Sequence, residues 1–296
     1  MAPTLAERLG FSTTDRVAVV HADDIGMCHA ANVGAFDALA NGIVSCGSIM
    51  VPCPWFREAA DLARANPRFD LGVHLTLNSE WPHYRWGPVA GRDRVPSLLD
   101  AQGFLPRTSV EVVKNAKPDE VEIELRAQIE AALAAGIDVT HLDSHMGTVF
   151  FPPFVPIYAK LASEYRLPAL AVRPDPKTLE RTGLAGAAPI LQKVCDALEA
   201  SGLPILDGLD ANSLDFREGA GDAHTSGRLD ILGNGITYLI IHPAKDGEEL
   251  RAISPDAHAR AFEHQFYGSA QGRARFEKDG IRSVGMRPLR DLMRAR

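Results

Sequence analysis

The sequence predicts a parallel α/β fold with the strand–helix rhythm of a β/α barrel. Three observations predict it. Short apolar runs rich in β-branched residues recur along the chain, among them RVAVVHA at 16–22, DLGVHLTL at 70–77 and GITYLII at 235–241, and helical patterns separate them. The alternation persists to the C-terminus instead of giving way to a block of strands or of helices. Polar residues capable of chemistry stand at the ends of the runs, where parallel α/β folds gather their ligands. An open doubly wound sheet is the alternative arrangement. Its dinucleotide-binding form is disfavoured, because no Gly-x-Gly-x-x-Gly follows the first run.

Taken in order, residues 16–22 predict a buried first strand, entered from a polar Ser-Thr-Thr-Asp segment and ending in Asp23-Asp24-Ile25-Gly26. Residues 29–41 are Ala-rich and helical, with Gly42 as the stop. A second strand at 45–51 is closed by Pro52 and Pro54, and a helix at 56–65 runs into Asn66-Pro67. The third strand, 70–77, carries His74. This β-α-β-α-β order argues for parallel strands joined by right-handed crossovers. In the clearest helix, 118–135, Val121, Leu125, Ile129 and Leu133 recur every four positions, and Gly136 ends it. A short strand at 136–140 then runs out into His141-Leu142-Asp143-Ser144-His145. Further on, the patterns predict a helix at 154–165, a strand at 169–173 ending in Arg173, and a helix at 189–201. A strand-like run at 203–206, a glycine-rich turn at 219–221 and a strand at 235–241 ending in His242-Pro243 follow. Ser254 and Pro255 look like the cap and first position of a helix reaching about residue 271. A strand at 281–284 and a helix at 287–296 close the chain.

Residues 78–117 break the rhythm and hold Trp81, Pro82, His83, Tyr84, Trp86, Pro88 and Pro96. So long a stretch inside a compact domain is expected to be a lid or binding loop, its aromatics stacking on a sugar ring. The competing reading buries Trp81 and Trp86 in the core. The 296 residues suffice for one large α/β domain or two smaller ones. With no repeat or low-complexity linker, the reading is one catalytic domain over 1–296, with an insertion at about 78–117. A net charge of −7 gives no footprint for nucleic acid or an anionic membrane. The four cysteines lack Cys-x-x-Cys spacing, which fits reduced thiols and a cytoplasmic setting. The stretch from Met1 to Phe11 carries Glu7 and Arg8 and has no apolar signal core. No apolar run approaches the roughly 20 residues of a membrane span. A homo-oligomer stays open.

The polar residues at predicted strand ends are Asp23, Asp24, His74, His141, Asp143, His145, Arg173 and His242. Singly, each has an ordinary explanation: a helix cap, a satisfied histidine, a surface ion pair. Together, on one face of a barrel, they predict a shared site. One carboxylate and two imidazoles form an open set for a catalytic divalent cation, and mixed nitrogen and oxygen donors favour zinc or another transition ion over magnesium. Adjacent aspartates then divide the work. One holds the ion; its unligated neighbour takes a proton from an activated water. Successive strand residues face opposite sides, so both serve one site only if the strand has already ended, and Gly26 is consistent with a turn there. Asp143 is placed to orient an imidazole.

At these residues the sequence resembles a family. Asp23-Asp24-Ile25-Gly26 is similar to its DDFG motif, Gly72-Val73-His74-Leu75 to its GxHL motif and His141 to His145 to its HxDSH motif. With Ile241-His242-Pro243 they resemble the YdjC-like carbohydrate deacetylases, which include chitooligosaccharide and hopanoid-associated deacetylases. The resemblance spans about residues 17–244. It implies a distorted (β/α) barrel of the polysaccharide-deacetylase-like type, one divalent metal ion (zinc by ligand type, magnesium as the alternative) and hydrolysis of the acetamide on an N-acetylated sugar. Residue by residue it implies Asp24, His74 and His145 as metal ligands, Asp23 as the base and His242 as the group that protonates the leaving amine. Arg173 resembles an arginine that holds Asp23 or the substrate; Asp143, His141 and Trp81 are expected to support the site or touch substrate. One departure stands out. Many members continue the third motif with further histidines, whereas here Met146-Gly147-Thr148-Val149 follow. These side chains supply no imidazole, so a chitooligosaccharide substrate is not carried over.

Two rival functions remain at this stage. Another metal-dependent hydrolase on a barrel, an amidohydrolase or phosphoesterase, would be expected to gather cationic groups beyond Arg173 or a second metal. A non-catalytic sugar-binding protein would have no need of Asp23.

Overall fold

A computed structural model describes residues 3–175 and 188–295. Its apolar runs pair into one parallel sheet made of β1 (Arg16–Ile25), β2 (Cys46–Ile49), β3 (Leu71–Leu75), β4 (Val139–Ser144), β5 (Gly208–Asp210), β6 (Gly235–Ile241) and β7 (Ile281–Ser283). The order is β4-β3-β2-β1-β6-β5, with β7 also beside β1. β1 is central. It pairs with β6 from Arg16 to Ala22, with β7 along Arg16–Ala18 and with β2 from His21 onward. Val17 to Val20 are at most 2% exposed, which is why this strand reads as an unbroken apolar run rather than an alternating one. Isolated parallel bridges, Leu142↔Ala169 and Val172↔Leu206, carry the edge beyond β4 round toward β5. The sheet therefore curls into a half-barrel, an open form of the expected distorted barrel.

Most predicted elements stand within a few residues of their expected bounds, and the helices His29–Asn41 and Phe56–Ala65 match them. The differences are physical. The strand expected at 136–140 begins later and runs through the polar motif to Ser144. Its polar residues stay in the strand because the interior of the half-barrel supplies their partners. The strands expected at 169–173 and 203–206 are reduced to the two bridges, and pairing with β6 falls instead on Gly208–Asp210. The helix expected over 254–271 is interrupted. Glu248–Ile253 ends at Ser254, so that serine closes a helix rather than opening one. Ala257–Tyr267 and Ala270–Lys278 follow, the second capped by Ser269. A helix at Gly221–Asp230 grows out of what the sequence marks as a turn, its polar composition giving little periodic signal. The closing helix is Arg287–Arg294, and Met1 and Arg296 lie outside the described residues.

The 78–117 segment contains a 3-10 turn at Pro96–Leu98 and a helix at Ser109–Asn115, whose Thr108 and Glu111 form a capping box. Trp81 and Trp86 are buried against each other, ring centroids 5.6 Å apart, which corrects the expectation of exposed stacking aromatics. The buried carboxylate of Glu124, on the long helix Pro118–Ala134, pins the segment by accepting the Val89 and Ala90 N–H groups at 2.9 and 2.8 Å.

Candidate metal centre

The carboxyl end of β1 decides the site. Asp24 has φ 64°, and the β1–β2 register shifts between Ala22 and Ile25. An extra residue at a bulge re-aims side chains. Asp23 and Asp24 thus face one cleft within the strand, where the sequence reading required the strand to have ended. β3 and β4 bring His74 and Asp143 alongside in register, and His145 follows directly after β4. Gly72 matters here: a Cβ would lie 2.7 Å from the His141 ring.

Asp24, His74 and His145 offer three ligand atoms that all lie within 4.8 Å of one another. His145 Nδ1 is 3.2 Å and His74 Nε2 3.5 Å from Asp24 Oδ1. That oxygen is buried and has no hydrogen-bond partner, a costly state for a carboxylate unless a cation completes it. The other imidazole nitrogens are held from outside. Asp143 Oδ1 accepts from His74 Nδ1 at 2.9 Å, Ser48 donates to Asp143 Oδ2 at 2.9 Å, and Glu80 Oε2 lies 3.0 Å from His145 Nε2. Such carboxylate–imidazole pairs fix the tautomer that presents a lone pair to a metal. Two other histidine-containing groups, His21–Cys46–His141 and His21–Asp23–Asp143, fit an ion less well. His21 already spends Nδ1 on Asp23 at 2.6 Å and Nε2 on His141 at 2.7 Å, and His141 spends Nδ1 on Thr140 at 2.8 Å.

Charge follows the same pattern. Against the push of burial, Arg260 holds the Asp24 carboxyl well below the usual range, its Nη1 2.7 Å from Oδ2. Against the opposing effect of burial, Glu80 and Asp24 lift His145 to about 9, and Asp143 and Asp23 raise His74. Burial pushes Asp23 up to about 7, with His74 pulling it back. Burial lowers His242 to about 4. His242 Nε2 stands 3.9 Å from Asp23 Oδ2.

The structure thus brings together Asp23, Asp24, His74, Asp143, His145 and His242. His141 is fully buried beneath them and supports His21. Trp81 lies in the core, and its neighbour Trp86 packs against His145 at 6.3 Å between ring centroids. Arg173 is the correction. Of its two expected roles, holding Asp23 or the substrate, the first is not what the structure shows: Arg173 pairs with Glu199 at 2.9 Å, and the arginine against the aspartate pair is Arg260. The sequence reading missed Arg260, Glu80, Ser48, Ser213 and Glu263. A usable signal existed for two of them: Arg260 and Glu263 share a helical face at i, i+3 among small residues Ala257, Ala259 and Ala261.

A curled parallel sheet with a carboxylate and two imidazoles converging at its carboxyl edge defines a half-barrel α/β protein with a candidate metal centre. Residues 17–278 match the family described as YdjC-like protein, and the chain belongs to that family. It is 38% identical over 254 residues to a carbohydrate deacetylase of Thermus thermophilus, covering 85% of this chain and 86% of that one. It is 27% identical to a carbohydrate deacetylase of Thermoanaerobacter pseudethanolicus, over 80% of this chain and 84% of that one. Against a chitooligosaccharide deacetylase of Yersinia enterocolitica it is 29% identical, over 69% and 80%. A crystal structure from Enterococcus faecalis V583, described as a candidate cellobiose-phosphate cleavage protein, superposes with a TM-score of 0.76 at 23% identity, covering 93% of this chain and 99% of that one. That likeness supports the fold.

Proposed function

We propose that this chain is a metal-dependent carbohydrate N-deacetylase that hydrolyses the acetamide of an N-acetylated amino sugar or glycoconjugate. The observation that carries the reading is the unpartnered Asp24 Oδ1 set between two imidazole nitrogens, with Asp23 beside it. The family's carbohydrate deacetylases supply the substrate class.

Asp24, His74 and His145 would hold one divalent cation, zinc by donor type. Such an ion supplies Lewis acidity, polarising the acetamide carbonyl and acidifying a water. The chain's own residues do the rest. Asp143 and Glu80 orient the two imidazoles. Arg260 balances Asp24 and is engaged by Asp256 as well, at 2.9 Å, so it is not offered to a phosphate. Asp23, carried on His21, takes a proton from water. His242, at 3.9 Å, passes a proton to the nitrogen as it leaves, since an amine departs poorly as an anion. The 78–117 segment walls the cleft through Trp86 and serves as its lid. Free, buried cysteines fit a cytoplasmic setting, and among the described residues no helix is long and apolar enough to cross a membrane.

The test is acetate release from a panel of N-acetylated sugars. Release that stops with a chelator and returns with zinc is expected. No release from any sugar by the metal-restored enzyme would overturn the proposal.

A further inference from the structure

The helix Ala257–Tyr267 carries a further acid, Glu263, which is fully buried and lies outside the candidate ligand set. Its two oxygens receive only donors. Ser213 Oγ lies 2.7 and 2.8 Å from them, the His242 main-chain N–H reaches Oε2 at 2.7 Å, and Arg228 Nη1 reaches Oε1 at 3.0 Å. Arg228 is itself buried and anchored on Asp210 at 3.1 Å. Burial pushes Glu263 up to about 7, with Arg228 pulling it back; as a carboxylate it leaves the serine one role, to donate its single proton. The serine oxygen is then the acceptor for His242 Nδ1, 2.9 Å away. A neutral imidazole that donates from Nδ1 has its lone pair on Nε2. That nitrogen faces Asp23, and the His242 side chain is 16% exposed where those of His74 and His145 are 1% and 6%. Of these three imidazoles, it is the most exposed.

We propose that Glu263, acting through Ser213, is a positioning residue that sets the Nδ1–H tautomer of His242 and aims its bare Nε2 at Asp23 and the cleft. The inference rests on the deacetylase reading for the use made of His242. The proton balance is closed. Water forms the new C–O bond to the acetyl carbon and gives one proton to Asp23. That proton crosses to His242 Nε2. The imidazolium keeps its Nδ1–H on Ser213 with the Glu263 charge behind it, and Nε2 then protonates nitrogen as the C–N bond breaks. Acetic acid, which gives its remaining proton to solvent and departs as acetate, and the free amine leave, and Asp23 and His242 return to their starting forms. The opposite tautomer, with a proton already on Nε2, could not accept from Asp23.

The test uses the full-length protein with Ser213→Ala, Glu263→Gln and, as reference, His242→Ala. Ser213→Ala removes one hydroxyl and leaves the Glu263–Arg228 pair intact, so it is the variant to rely on if Glu263→Gln fails to fold. In ¹⁵N-histidine spectra of the metal-free protein, His242 is expected with Nδ1 protonated and Nε2 bare. Ser213→Ala should move it toward the Nε2–H form. In turnover, Ser213→Ala should lower kcat on an acetamide roughly 10- to 100-fold, the usual loss when an orienting partner is removed, with KM and ester hydrolysis nearly unchanged. A wild-type Nε2–H tautomer would overturn the proposal. So would full acetamide turnover in Ser213→Ala while His242→Ala is impaired. If His242→Ala itself keeps full acetamide turnover, the role given to His242 fails instead, and the tautomer spectra still decide the positioning claim.

Discussion

Arg260 Nη1 lies 2.7 Å from Asp24 Oδ2, joining residues 236 positions apart, while Asp24 Oδ1 faces two imidazoles with no hydrogen bond. One carboxylate thus gives one oxygen to a permanent cation and turns the other toward two imidazoles. Arg260→Met should leave a buried charge unpaired and destabilise the metal-free protein by about 3–5 kcal/mol. Urea denaturation measures this, and added zinc should recover part of the loss, because an ion that binds the folded state alone stabilises it. A loss of about 1 kcal/mol or less, the size of a surface pair, would count against the coupling.

Metal affinity should depend on residues that do not touch the ion. Asp143 accepts from His74 Nδ1 at 2.9 Å. Asp143→Asn is expected to weaken divalent binding by roughly 10- to 100-fold, and His74→Ala to abolish it. Titration calorimetry with zinc reads both. Unchanged affinity in Asp143→Asn would show that His74 is oriented by other contacts.

Asp23→Asn should separate binding from chemistry. The amide keeps the shape beside His21 and cannot take a proton. We expect metal content to persist and turnover to fall by roughly two to four decades, the range for loss of a general base. Wild-type turnover in this variant would assign the proton to another group.

The buried aromatics give a prediction about the 78–117 segment. Trp86 is 3% exposed, and its Nε1–H donates to the Asn78 carbonyl at 2.7 Å. Trp86→Ala should cost about 3–5 kcal/mol by denaturation. If the segment is a lid, sugar binding should also change tryptophan fluorescence in the wild-type protein. A spectrum indifferent to saturating sugar would reduce the segment to a static wall.

Much of this protein is legible in its sequence. Apolar runs of period two or none and the four-residue rhythm of Val121, Leu125 and Ile129 are local consequences of strand and helix geometry, and they return a parallel α/β fold directly. The aspartate pair, His74, His145 and His242 are legible for a related reason. Parallel strands expose their carboxyl ends on one side, so polar groups just past apolar runs converge. Boundaries failed where local pattern competes with partners supplied from afar. The strand through His141 and Asp143 is stabilised by His21, Ser48 and His74, and no local signal records that.

The sequence by itself therefore determined the fold class, the face on which the site lies and the side chains most exposed to chemistry there. Only the tertiary structure decided which of them share a cleft, because that depends on a bulge at Asp24 and on strand register. It also decided the partners. Arg260 on Asp24, Glu80 on His145 and Glu263 behind His242 come from distant segments, and a buried charge takes whichever neutralising group the packed fold brings within hydrogen-bond reach. That distance is a property of the folded chain, set by packing between elements that carry no mark of one another in sequence.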